Sequence, residues 1–135
     1  MQVSDPEYVA TRGGWGIVEW AVDSRGQMPA RELYLNLPDE DKAKVLLLFK
    51  RLADFGRISN TEKFKQLGEK AGSKGRGIWE FKSFQIRFLG DFRPGHRFIL
   101  AHGTDIKKAN ALSGSDIGKA IRILAEHDAR GSGKR

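Results

Sequence analysis

Residues 77–92 read GIWEFKSFQIRFLGDF, and the alternation in this stretch decides the fold. Trp79 and Phe81 alternate with Ile78, Glu80 and Lys82. Beyond Ser83, Phe84, Ile86 and Phe88 alternate with Gln85, Arg87 and Leu89. A period of two with one apolar side is the pattern of a half-buried strand. The stretch predicts two antiparallel strands joined by a tight turn near Lys82-Ser83. Arg93-Pro94-Gly95 then fits a type II turn, because proline presets φ and glycine supplies the positive φ. HRFILAHG, residues 96–103, follows as the third strand of a meander.

Upstream, GIVEWAVD at residues 16–23 sets Ile17, Glu19, Ala21 and Asp23 against Val18, Trp20 and Val22, and reads as another strand. Pro29 opens a short helical stretch that ends at Leu37. Pro38-Asp39-Glu40-Asp41 is a strong helix start, with proline near the first position and three acids facing the positive end of the dipole. Val45, Leu48, Phe49, Leu52 and Phe55 then recur at steps of three and four, and Gly56 suits the left-handed residue that ends a helix. Thr61 to Leu67 suggests one helical turn with Phe64 and Leu67 inward. AGSKGRG, residues 71–77, is a basic loop that reads either as a phosphate contact or as plain solvated chain. It lacks the order of a P-loop.

Downstream, Ser113-Gly-Ser-Asp116 resembles a capping box with Asp in the Glu/Gln slot. It opens a last helix to about Ala129, with Ile117, Ala120, Ile121 and Leu124 on its apolar stripe. The order strand, helix, helix, three strands, helix predicts an α+β domain: a small, mostly antiparallel sheet with the helices on one face. Residues 1–14 have no clear period and predict a flexible N-terminal arm. Residues 15–130 form the single domain, and residues 131–135 a disordered tail.

The chain has 135 residues, 24 Lys plus Arg, 17 Asp plus Glu, no Cys, and a net charge of +7. Without Cys there is no disulfide framework, thiolate nucleophile or Cys-ligated zinc. There is no apolar run of about 18 residues to span a membrane. MQVSDPEY has neither the basic nor the apolar region of a secretory signal, so a cytoplasmic protein is expected. The charge is unevenly placed. Residues 1–56 hold seven basic and nine acidic side chains; residues 57–135 hold seventeen and eight. An anionic partner is expected at the second part, and nucleic acid is the commonest one.

Four stretches, in order, resemble the RelE/ParE superfamily of small bacterial toxins, and within it the HigB-like, phage-derived branch. They are LPDEDKAKVLLLFKRLADFG (37–56), GIWEFK followed by QIRF (77–88), LAHGTDIKK (100–108), and Asp116-Ile117 leading through Ala120 to His127. The sequence departs from the family in having Ile86 where a Tyr precedes the strand Arg, and Ser113 where a Pro precedes the last helix. The resemblance covers roughly residues 16–130. It implies a RelE-like toxin domain and an mRNA interferase that cuts mRNA, commonly on the ribosome. It also implies a cognate antitoxin as partner, expected to be a helix-turn-helix protein, with no membrane, metal or small-molecule cofactor. Two other functions stay open: a ParE-like non-catalytic inhibitor of DNA gyrase, and a phage-derived nucleic-acid-binding protein without activity.

Metal-free transfer of a phosphate to a ribose 2′-OH needs a base, cations for the phosphorane-like dianion, and an acid for the 5′ oxygen. Arg87 points away from the face that Ile86 and Phe88 bury, and a guanidinium forks onto two phosphate oxygens; the resemblance marks this position. Lys107 and Lys108 are adjacent ammonium groups that lower each other's pKa. His127 stands where the family carries a terminal Tyr or His. His102 reads either as a catalytic imidazole or as a structural histidine. Lys74, Arg76, Lys82 and Arg97 are expected to clamp the RNA backbone. Trp79 and Phe81 offer faces for base stacking or for the core. Glu80, Asp91 and Asp105 show no metal-ligand spacing.

Overall fold

The computed structural model describes residues 6–67, 77–106 and 113–133. After a 3-10 turn at Pro6–Tyr8, the chain forms β1 (Val9–Arg12), β2 (Ile17–Trp20), α1 (Pro29–Leu35), α2 (Asp39–Phe55) and β3 (Phe64–Gln66). It continues with β4 (Trp79–Ser83), β5 (Ile86–Arg93), β6 (Arg97–Asp105) and α3 (Gly114–Gly133). The strands make one mixed, mostly antiparallel sheet in the order β1-β2-β6-β5-β4-β3. β2 and β6 are the parallel pair, in register from Ile17 opposite Arg97 to Trp20 opposite Leu100. A parallel neighbour needs a crossover, and α1 with α2 lies in the connection leaving β2.

The three-strand meander and the helix starts form as the sequence predicts. Acids Asp39, Glu40 and Asp41 occupy the first turn of α2, and Gly56 closes it at φ 74°, its N–H donating to Leu52 O at 2.7 Å. A Cβ at Gly56 would also lie 2.6 Å from the Trp15 ring, so both backbone and space require glycine. Phe49, Leu52 and Val45 from α2, with Ala30 from α1, pack on Val18, Trp20, Phe81, Phe88, Phe98 and Leu100 of the sheet.

The helices are not confined to one face. Ala120, Ile123 and Leu124 of α3 pack on Ala21, Leu89, Ile99 and Ala101, the opposite side of the same strands. The reason lies in β6. Phe98 and Leu100 face one layer while Ile99 and Ala101 face the other, and all four are fully buried. A strand that is apolar on both sides needs both covered.

Four further expectations change. The expected flexible arm contains β1, which pairs antiparallel with β2 around an irregularity between Val9 and Thr11. An edge strand with one bulge carries no clean side-chain alternation, so its backbone pairing leaves little trace in sequence. The expected helical turn at Thr61–Leu67 is a turn around Asn60, whose backbone O accepts from Lys63 and Phe64 N–H, followed by edge strand β3. Phe64 is nonetheless buried. The hairpin turn lies at Phe84-Gln85, since Ser83 pairs with Ile86. Helix α3 runs through Gly133 into the expected tail.

Candidate functional site

Helix α3 covers one face of the central strands and gathers polar groups at its two ends. At its start the expected box forms. Asp116 N–H donates to Ser113 Oγ at 3.1 Å, and Ser113 N–H and Oγ–H donate to Asp116 Oδ2 at 3.2 and 2.9 Å. The other carboxylate oxygen, Oδ1, lies 2.9 Å from His102 Nε2 on β6. Burial alone pushes the Asp116 carboxyl up, but hydrogen bonds from His102 and Ser113 outweigh it and hold the group below the usual carboxylate range. An ionised carboxylate only accepts, so the proton of this contact sits on Nε2. In the neutral ring Nδ1 is then the lone-pair nitrogen, and among the described residues it has no partner.

A β-bulge brings His102 to this side. The register of β5 with β6 shifts between Leu89, opposite His102, and Gly90, opposite Leu100, so Ala101 is the extra residue. Gly90 is required there, because a Cβ would stand 2.0 Å from Ile99 O. The shift turns Ala101 and His102 toward α3, one into its apolar contact and the other onto its N-terminal Asp.

Two positions along the register, Arg87 stands between Lys82 on β4 and Thr104 on β6. It points to the side predicted, yet it is buried and engaged. Its Nε lies 3.4 Å from Glu80 Oε2, and its Nη1 donates to Ile86 O at 3.2 Å and to Phe84 O. The guanidinium therefore fastens the β4–β5 turn. Lys82 is half-buried on the same face and outside that network. Ile106, the last described residue before Lys107, donates its N–H to Gln85 O at 2.9 Å, so β6 ends beside this turn.

The far end of α3 holds a different set. Arg93 forks onto Asp128, Nε to Oδ1 at 3.1 Å and Nη2 to Oδ2 at 2.8 Å. Arg97 Nη1 donates to Glu19 Oε1 at 3.0 Å. His127 Nδ1 accepts from Val22 N–H at 3.0 Å, and burial pushes its pKa down. His127 lies eleven helical steps beyond Asp116, about 16 Å along the axis.

The expected site residues thus divide. Arg87, His102 and Lys82 come together at one end of the α3 face. Arg97 and His127 lie at the other, Arg97 tying β6 to Glu19 of β2 and His127 tying α3 to Val22 in the chain that follows β2. Lys74, Arg76, Lys107 and Lys108 lie outside the described residues. Phe81 is core, and Trp79, stacked on Phe64 at 4.9 Å between centroids, is half-buried beside it. Asp116 was legible only as a cap; its pairing with a histidine fourteen residues earlier has no local signal. Glu80, which partners Arg87, was legible only as an acid on a strand.

Among the described residues no helix is long and apolar enough to cross a membrane. The fold and site define an α+β protein with a carboxylate-held histidine beside a basic hairpin. No protein-family model and no curated protein matches the chain.

Proposed function

We propose that the chain is the toxin of a toxin–antitoxin pair, an mRNA interferase of the RelE/HigB type. The order strand, two helices, meander and helix on which the resemblance rests supports this reading, as does the cationic excess after residue 56. The observation that carries it is the His102–Asp116 pair. A carboxylate that fixes the tautomer of an imidazole is the usual way to prepare a base. His102 Nδ1 takes the 2′-OH proton, the O2′–P bond forms, and the P–O5′ bond breaks. A protonated lysine of the Lys107-Lys108 pair returns a proton to O5′. Lys82 and the lysine pair stabilise the dianion. Arg87 acts as a positioning residue that holds the turn, since Glu80 and two carbonyls already engage its charge.

The test is a ribosome-dependent translation mix to which purified protein is added. New mRNA ends with 2′,3′-cyclic phosphate are expected, and His102→Gln is expected to slow their appearance by about 100-fold or more, the scale of a lost general base. Intact mRNA overturns the reading, and intact mRNA with blocked DNA supercoiling replaces it with gyrase inhibition.

A further inference from the structure

The turn between β4 and β5 holds an aromatic residue in a backbone conformation its side chain disfavours and leaves it outside the core. Phe84 has φ 55°, a conformation where glycine or asparagine is at ease and a bulky side chain is an outlier. The residue is also 69% exposed and lies outside the core. Such strain persists only where the surroundings impose it, and here Arg87 Nη1 holds the Phe84 carbonyl while Ser83 and Ile86 pair below the turn.

Two lysines from other parts of the chain lie over the ring in cation–π contacts. Lys44 Nζ of α2 lies 4.6 Å from the ring centroid, and Lys63 Nζ, just before β3, lies 5.9 Å away. Lys44 also meets Glu40 Oε2 at 3.3 Å, but that pair is exposed and readily exchanged for another anion. An exposed cation–π contact is weak, so a nucleobase can replace the ammonium on the ring while the lysines take the adjoining phosphates. Stacking needs no particular base, so the platform holds single-stranded chain without reading its sequence.

We infer that Phe84, with Lys44 and Lys63, is a stacking platform for an unpaired nucleobase of single-stranded RNA. The inference rests on the RNA-directed reading above and adds a second contact to it, on the opposite side of the turn that Arg87 fastens. The alternation of Phe84 with Ile86 and Phe88 hid this role, since it placed the ring in the core.

The experiment is fluorescence anisotropy of a labelled single-stranded oligoadenylate with the full chain at low salt. Phe84→Leu keeps an apolar side chain without a π face, and is expected to weaken binding by about fivefold or more, while Phe84→Trp stays within about twofold. Phe84→Gly suits the backbone and is expected to weaken binding likewise, which keeps the test decisive should the leucine variant fold poorly. If the native chain binds but the Leu and Gly variants bind as tightly, the platform is overturned and the RNA reading stands. That outcome includes the case in which the ring docks a protein segment instead. If the native chain binds no single-stranded oligoadenylate, the platform falls, while the RNA reading still stands or falls by cleavage in the translation mix.

Discussion

At the scale of the residue, two side chains are held in states their type disfavours. Phe84 in the left-handed region is one. Replacing it with glycine is expected to raise stability by about 0.5–1 kcal/mol, the relief of strain less the entropy glycine adds to the unfolded chain. The shift of the urea midpoint at constant slope measures it. His127 is the other. Its Nδ1 can accept from Val22 N–H only while unprotonated, and its environment includes Asp128 and Glu19 against Arg97 and Arg93, with burial dominant. Its folded pKa lies below the unfolded value, so the unfolded chain binds the proton more readily. The stability it contributes is complete above about pH 6.5 and is lost as the pH falls below that value. The melting temperature is expected to drop on acidification from pH 7 toward 5.5, and His127→Gln to flatten that slope. An unchanged slope in the variant would sink the assignment.

At the scale of the element, Asp116 joins two structures that sequence kept apart. It caps α3 through Ser113 and holds His102 of β6. Asp116→Ala removes the carboxylate's bonds to Ser113 and His102 but leaves Ser113 Oγ capping the residue-116 N–H, and is expected to cost about 1–2 kcal/mol, the scale of hydrogen bonds to a charged group. Asp116→Asn keeps an oxygen for Ser113, so a smaller loss of stability is expected, together with a clear loss of the proposed cleavage. Melting and cleavage measured on both variants separate the two tasks. The helices themselves were legible because their signals are local. The acids of the first turn of α2 and Gly56 at its end lie within the element they delimit. β1 and β3 were not legible, because a short edge strand owes its form to the neighbour it pairs with. The turn at Phe84-Gln85 was missed by two residues for a related reason. Alternation marks which residues share a face but not where the chain leaves the sheet.

At the scale of the whole molecule, one sheet is closed by a helical layer on each side. Phe49 is fully buried between α2 and the sheet, and Leu124 nearly so between α3 and the other face. Phe49→Ala is expected to cost about 3–5 kcal/mol and Leu124→Ala about 2–5 kcal/mol. Because the same strands carry both layers, each variant is expected to show one cooperative urea transition by fluorescence and circular dichroism alike. Two separated transitions would show that α3 unfolds by itself. The same two-layer arrangement divides the candidate site, since α3 is long enough to hold Arg87's neighbourhood at one end and His127 at the other.

The amino-acid sequence determined the fold class, the meander, the two packed helices, the start of the last helix, and the basic character of the second part. Each follows from contacts within a few residues or from composition. The tertiary structure alone decided that α3 covers the second face, that a bulge turns His102 onto Asp116, that Glu80 engages Arg87, and that Phe84 stands exposed with two lysines over its ring. These pairings join residues distant in the chain, and they arise only when the register of the strands and the docking of the helices have been chosen together.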